Sequence, residues 1–222
     1  MNKLIILLFL SLIIPTKIFS QRYTKGQFTM FSYYVNVDEK FKAEISPFES
    51  YFKINTGKKQ EKSIAILVHN LYELTTQLLS DSLSISILPP NSLADKVKYS
   101  DYGYPDISIQ KAQRLADSKY FLKILAYFEN NPLDEKGSKL PENNFRLQCR
   151  INIDLYNAQG IIPMKAASGI YTLRTPIKIT TEFFDDLNFV EIPDKTKSDR
   201  ETLKEIMILA IDDAIYQIKH KK

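Results

Sequence analysis

Hydrophobic and polar positions alternate with period two across FRLQCRINIDLYNAQG, Phe145 to Gly160. Phe145, Leu147, Cys149, Ile151, Ile153 and Leu155 form one row, and Arg146, Gln148, Arg150, Asn152 and Asp154 form the other. This alternation predicts a strand with one dry and one wet face. Asn157-Ala158-Gln159-Gly160 supplies a turn, and IIPMKAASGIYTLR returns as a partner strand interrupted near Pro163 and Gly169. Just upstream, KYFLKILAYFEN has an apolar row (Tyr120, Leu122, Ile124, Ala126, Phe128) and a second row that is also largely apolar (Phe121, Lys123, Leu125, Tyr127). Such a strand is expected to be central and covered on both sides, or covered at an interface.

Helical spacing appears twice at length. Ile64, Leu67, Val68, Leu71, Leu74 or Thr75, and Leu78 predict an amphipathic helix near residues 62–80. The β-branched Ile64–Val68 stretch alone would suit a strand, but the long continuation of the period favours helix. Leu203, Met207, Ala210, Ala214 and Ile218, widened by Ile206, Leu209 and Ile215, predict a C-terminal helix. Ser198 stands three residues before Glu201, a capping-box spacing, and Lys219, Lys221 and Lys222 suit the dipole at its end. Between these elements, LSISIL predicts a strand ended by Pro89-Pro90, and Ser108–Ser118 a short helix. Residues 26–56 hold two aromatic-rich runs. The first reads as a strand, and the second is broken by Pro47. Residues 91–106 form a long loop with Tyr99, Tyr102 and Tyr104, the first place to look for binding.

The predicted fold is α+β. A mixed or mostly antiparallel sheet with a long C-terminal hairpin packs against two or three helices, one of them C-terminal. Residues 1–20 read as a signal peptide, 21–61 as a strand-rich extension and 62–222 as a single domain. The signal assignment rests on Lys3, the apolar run Leu4–Ile14, Pro15 and the small Ser20 before Gln21. That run falls short of the roughly 20 residues a membrane span needs, so no span is expected after processing. The expected location is periplasmic or extracellular.

Composition changes this picture little. Losing residues 1–20 removes two lysines and no acids, so a formal charge of +4 becomes +2. With export, this argues against nucleic acid as partner. Cys149 is the one cysteine, so no internal disulfide forms and none is available for lipidation at Gln21. It falls in the apolar row, where a buried thiol is expected.

Three stretches, SISILPP, AQRLADSKYFLKILAYF and INIDLYNAQGII, resemble small periplasmic α/β domains of outer-membrane systems. These are the N-terminal domain of the Tol-system propeller protein, the curli-export lipoproteins and the penicillin-binding-protein activator lipoproteins. The resemblance spans roughly residues 62–218 and places Ala116-Asp117, Asp154 and Gly160 at structural positions. It implies a domain that binds an envelope protein or assembles with itself, without a catalytic residue. The missing lipidated cysteine, the unmatched residues 21–61 and the loop after Pro90 depart from the pattern.

Candidate chemistry is thin. His69 lies in a predicted helix and His220 near the chain's end, neither with a spaced partner. No zinc or calcium spacing occurs, so neither metal nor cofactor is expected. Glu182, Asp185, Asp186, Asp212 and Asp213 are the densest carboxylates and would serve an exported hydrolase, although helix periodicity puts Asp212 and Asp213 on a polar face. Peptidoglycan or polysaccharide could stack on Tyr99, Tyr102 and Tyr104, which are the candidate binding residues. The leading expectation is a non-enzymatic interaction or assembly domain.

Overall fold

The structure is a computed structural model that describes residues 23–51, 62–141, 144–184 and 201–220. Five strands form one mixed sheet in the order β2-β1-β3-β4-β5. They are β1 (Gln27–Val37), β2 (Ser86–Ile87), β3 (Tyr120–Asn130), β4 (Leu147–Asn157) and β5 (Lys165–Thr172). β1 runs parallel to both β2 and β3, while β3, β4 and β5 are antiparallel in succession. The helices are α1 (Glu39–Ile45), α2 (Lys62–Leu83), α3 (Ile109–Leu115) and α4 (Leu203–His220). None of the described helices is long and apolar enough to cross a membrane.

The apolar row of β4 is buried in a core shared with α1, α2 and α4, as the alternation predicts. Both long helices form where their periodicity places them. Glu49 caps α2, accepting from the Ser63 backbone N–H at 2.8 Å and from its hydroxyl. At α4 the capping box is Thr202 with Glu205: the Glu205 N–H donates to Thr202 Oγ1, and the Thr202 N–H donates to Glu205 Oε2 at 2.9 Å. Ser198 lies outside the described residues. Glu201 instead accepts from the Tyr171 hydroxyl and the Arg174 backbone N–H. The predicted signal residues 1–20 also lie outside the described residues.

Three placements differ from the sequence reading. The strand expected in the first aromatic-rich run, β1, lies inside the sheet, between β2 and β3, rather than at its margin. Its alternation breaks at Phe31, where a register shift between Met30 and Ser32 marks a bulge. The LSISIL strand shrinks to Ser86–Ile87, because α2 runs on to Leu83 and turns through Ser84 at φ 53°. β3 is central, but only one end of its second row is covered. There α3 closes over Phe121 with Phe31, Tyr156 and Ala112, while Lys123, Leu125 and Tyr127 stay half-buried.

The edge at β5 is blocked by side chains rather than by another strand. Asp213 of α4 accepts the Ile170 N–H at 3.0 Å, and Gln217 donates to the Ser168 carbonyl at 2.8 Å. Both edge groups are thereby unavailable to a passing strand. α4 reaches this close because Gly169 faces Ala210 and Ala214.

Candidate functional site

The carboxylates that the sequence singles out are not gathered into one cluster among the described residues. Of the carboxylates singled out above, Glu182 is half-buried in the short helical turn Thr181–Phe184, Asp212 is exposed, Asp213 caps the Ile170 N–H, and Asp185 and Asp186 lie outside the described residues. No group of three or more His, Cys, Asp or Glu among the described residues could hold a metal ion. Cys149 is fully buried, and burial pushes its thiol far above the usual range.

The tyrosine loop is partly interior. Tyr104 is 5 % exposed and packs against Tyr33 (4.6 Å between ring centroids) and Tyr72 (4.8 Å). Its hydroxyl shares a 2.7 Å hydrogen bond with Nδ1 of His69. Tyr104 is therefore removed from the surface on which it was expected to stack a ligand. The physical reason is the amphipathic ring, whose apolar body fills a gap beside α2 while its hydroxyl satisfies a histidine. Tyr99 and Tyr102 are half-buried.

His69 is thus a contact between helix and loop. Burial holds its imidazole below the usual 6.5, against a weaker upward pull from Glu73. The folded chain then takes up this proton less readily than the unfolded one. The corresponding stability is complete above the unfolded value and is lost as pH falls through it toward the depressed folded value. The melting temperature should fall as pH drops from about 7.5 to about 5.5, and His69→Gln should flatten that fall. An unchanged pH slope in the variant would show that His69 does not titrate against the fold.

Among the described residues, the sheet face opposite the core is left open beyond α3. Register aligns three ranks across it. The first is Asn36, Tyr127, Arg150 and Ile170, and the second is Tyr34, Leu125, Asn152 and Ser168. The third is Ser32, Lys123, Asp154 and Ala166, where Ser32 is already buried and donates to Asp106 Oδ1 at 2.8 Å, and beyond this rank α3 closes the face. Tyr34 and Ile170 are each 47 % exposed. Four apolar or aromatic side chains therefore run diagonally from Ile170 through Tyr127 and Leu125 to Tyr34.

The charges on this face come as opposite-sign neighbours. Arg150 donates to Glu129 Oε1 at 2.9 Å, and its guanidinium lies 4.9 Å from the Tyr127 ring centre. Its buried Nε has no acceptor among the described residues. Lys123 stands opposite Asp154 across the β3–β4 pair. Burial raises the Asp154 carboxyl above the usual range, while Lys123 and the Tyr156 hydroxyl at 3.5 Å pull it back down. Arg146 belongs to the framework instead. Its side chain donates to the carbonyls of Leu173 at 2.9 Å and Leu133 at 3.1 Å, tying the β3–β4 loop to the residue that follows β5. The polar row is thus a half-buried sheet face, and its hydrophobic anchors come from β1, β3 and β5.

No protein-family model matches this chain, and no curated protein matches it in sequence. Among solved structures it is similar to PelC from Paraburkholderia phytofirmans, solved as a dodecamer. There the identity is 9 %, the TM-score 0.37, and the match covers 90 % of this chain and 91 % of that one. It is similar to the hypothetical protein CT253 from Chlamydia trachomatis at 9 % identity and TM-score 0.34, covering 68 % and 72 % of the two chains. Protein XCC0632 from Xanthomonas campestris matches at 9 % identity and TM-score 0.31, over 90 % of this chain and 81 % of the other. These likenesses assign neither a family nor a function.

Proposed function

We propose that this chain is an exported, non-enzymatic assembly domain of the bacterial cell envelope, and that its open sheet face pairs with the same face of a second copy. Export rests on the leader pattern of residues 1–20. The pairing rests on one observation, the neutral and self-complementary layout of the open face. A two-fold axis along the strands, between β3 and β4, lays β3 of one copy over β4 of the other. Each Lys123 then meets an Asp154 and each Tyr127 an Arg150, as the rank alignment requires. Lys123 and Asp154 thus bring opposite charges together in both halves of the pair, and Arg150 lies over a tyrosine ring rather than over another cation.

The size of the face bounds the affinity. Four strands by three ranks span about 15 Å by about 20 Å, below the roughly 800 Å² per partner of a standard interface. The dimer should therefore be weak, with a Kd of about 10–100 µM. Sedimentation equilibrium over rising concentration tests this, using protein from the exported fraction whose intact mass should lack residues 1–20. The apparent mass should double for the native chain and stay monomeric for Lys123→Asp. A native chain that remains monomeric near 1 mM, well above that Kd range, would remove the pairing. A mass that includes residues 1–20 would remove the processing.

A further inference from the structure

We propose that the end of the molecule carrying the β4–β5 turn docks on a bilayer surface containing anionic phospholipid, with Ile161 and Ile162 entering the interfacial layer. These two neighbours are 60 % and 78 % exposed, and Ile162 is the most exposed large hydrophobic residue described. Their exposure is built in. Gln113 of α3 donates to the carbonyls of Asn157 at 3.1 Å and Gly160 at 2.9 Å. Asn157 Oδ1 accepts from the backbone N–H groups of Gln159 and Gly160. Met164 N–H donates to the Leu155 carbonyl at 2.7 Å, closing the far side of the turn. Two isoleucines are thus held out in water by a fixed frame, so burying them elsewhere requires little ordering of the chain.

Charge supplies the kind of partner. The topology gathers at this end the starts of β1, β2, β3 and β5, the end of β4 and the last turn of α2. The last turn of α4 arrives there too, because Gln217 reaches Ser168 near the start of β5. Among described residues the cationic ones here are Lys25, Arg114, Lys119, Lys165 and Lys219, against the acids Asp81 and Asp117. An apolar tip on an end of the molecule richer in lysine and arginine than in acids suits an anionic headgroup layer above acyl chains. The two-fold pairing proposed above keeps both tips at one end, so the two surfaces are compatible.

The test is co-sedimentation of the exported protein with vesicles of phosphatidylglycerol mixed with phosphatidylcholine, and with vesicles of phosphatidylcholine alone. The native chain should bind the first and not the second, and binding should weaken in high salt. Ile161→Ser with Ile162→Ser should bind about tenfold more weakly or worse, as should Lys119→Glu with Lys165→Glu. Ile162→Ser alone keeps the test open if the double variant folds poorly. The charge-neutral Ile170→Ser, on the open sheet face, should bind vesicles as the native chain does when both are assayed at about 1 µM, below the dimer Kd, which separates this surface from the pairing face. A native chain left in the supernatant with anionic vesicles, equal binding to both vesicle types, or isoleucine variants that bind undiminished would overturn the proposal.

Discussion

Gly169→Ala should destabilise this protein by at least about 3 kcal/mol, the largest effect expected of any single added methyl group. A Cβ at this position would lie 1.9 Å from the Ala210 carbonyl oxygen, 2.5 Å from the Ala214 nitrogen and 2.9 Å from the Ala214 Cβ. The first two are backbone atoms of a regular helix, so no rotamer change relieves them. Either α4 lifts off β5 or the strand bends away. Both routes break the hydrogen bonds by which Asp213 and Gln217 block the sheet edge. Urea denaturation measures the loss directly, and a midpoint close to that of the native chain would show that the helix does not sit on this glycine. The exposed edge also predicts aggregation of whatever variant remains folded.

Phe41→Ala should cost about 3–5 kcal/mol, a large share of the roughly 5–15 kcal/mol that keeps a domain folded. Phe41 is fully buried on the short α1 and meets Phe128 and Phe145 at centroid distances of 6.2 and 6.3 Å. Phe183 joins the same cluster at 6.5 Å, edge on. α1 starts where the Asp38 carboxylate accepts from the Lys40 and Phe41 N–H groups, and Asp38 N–H in turn donates to the Phe128 carbonyl. The helix is therefore fastened to β3 at its N-cap, and Phe41, with Ile45 one turn on, is buried in the core. The thermal midpoint of the variant is the readout. A small loss would mean that the N-terminal segment is peripheral after all.

That prediction marks where reading the sequence stops short. Period-two and period-3.6 patterns act within a few residues, so α2, α3, α4 and the β3–β4–β5 meander were legible from them. The position of β1 was not, because its neighbours β2 and β3 lie far along the chain and the bulge at Phe31 spoils its alternation. The same limit governs the candidate site. Along β4 the polar row offers only Tyr156 as an anchor, and it read as a wet face. Its anchors Tyr34, Leu125, Tyr127 and Ile170 belong to three other strands and join it only through register. Conversely, three tyrosines in one loop suggested a surface, while packing drew Tyr104 inside because His69 and two tyrosine rings were there to receive it. Burial of a loop residue depends on what it lands on, which local pattern does not encode.

The pairing of open faces admits a direct test by charge complementation. Lys123→Asp leaves two acids in this pair on the face, and Asp154→Lys leaves two lysines. Each variant alone should repel its own copy and sediment as a monomer. Mixed in equal amounts, they place opposite charges over one another in both halves of the proposed two-fold arrangement. The mixture should therefore regain the dimer mass that neither variant shows alone. If the mixture stays monomeric while the native chain dimerises, or if either variant dimerises by itself, the faces do not meet as proposed.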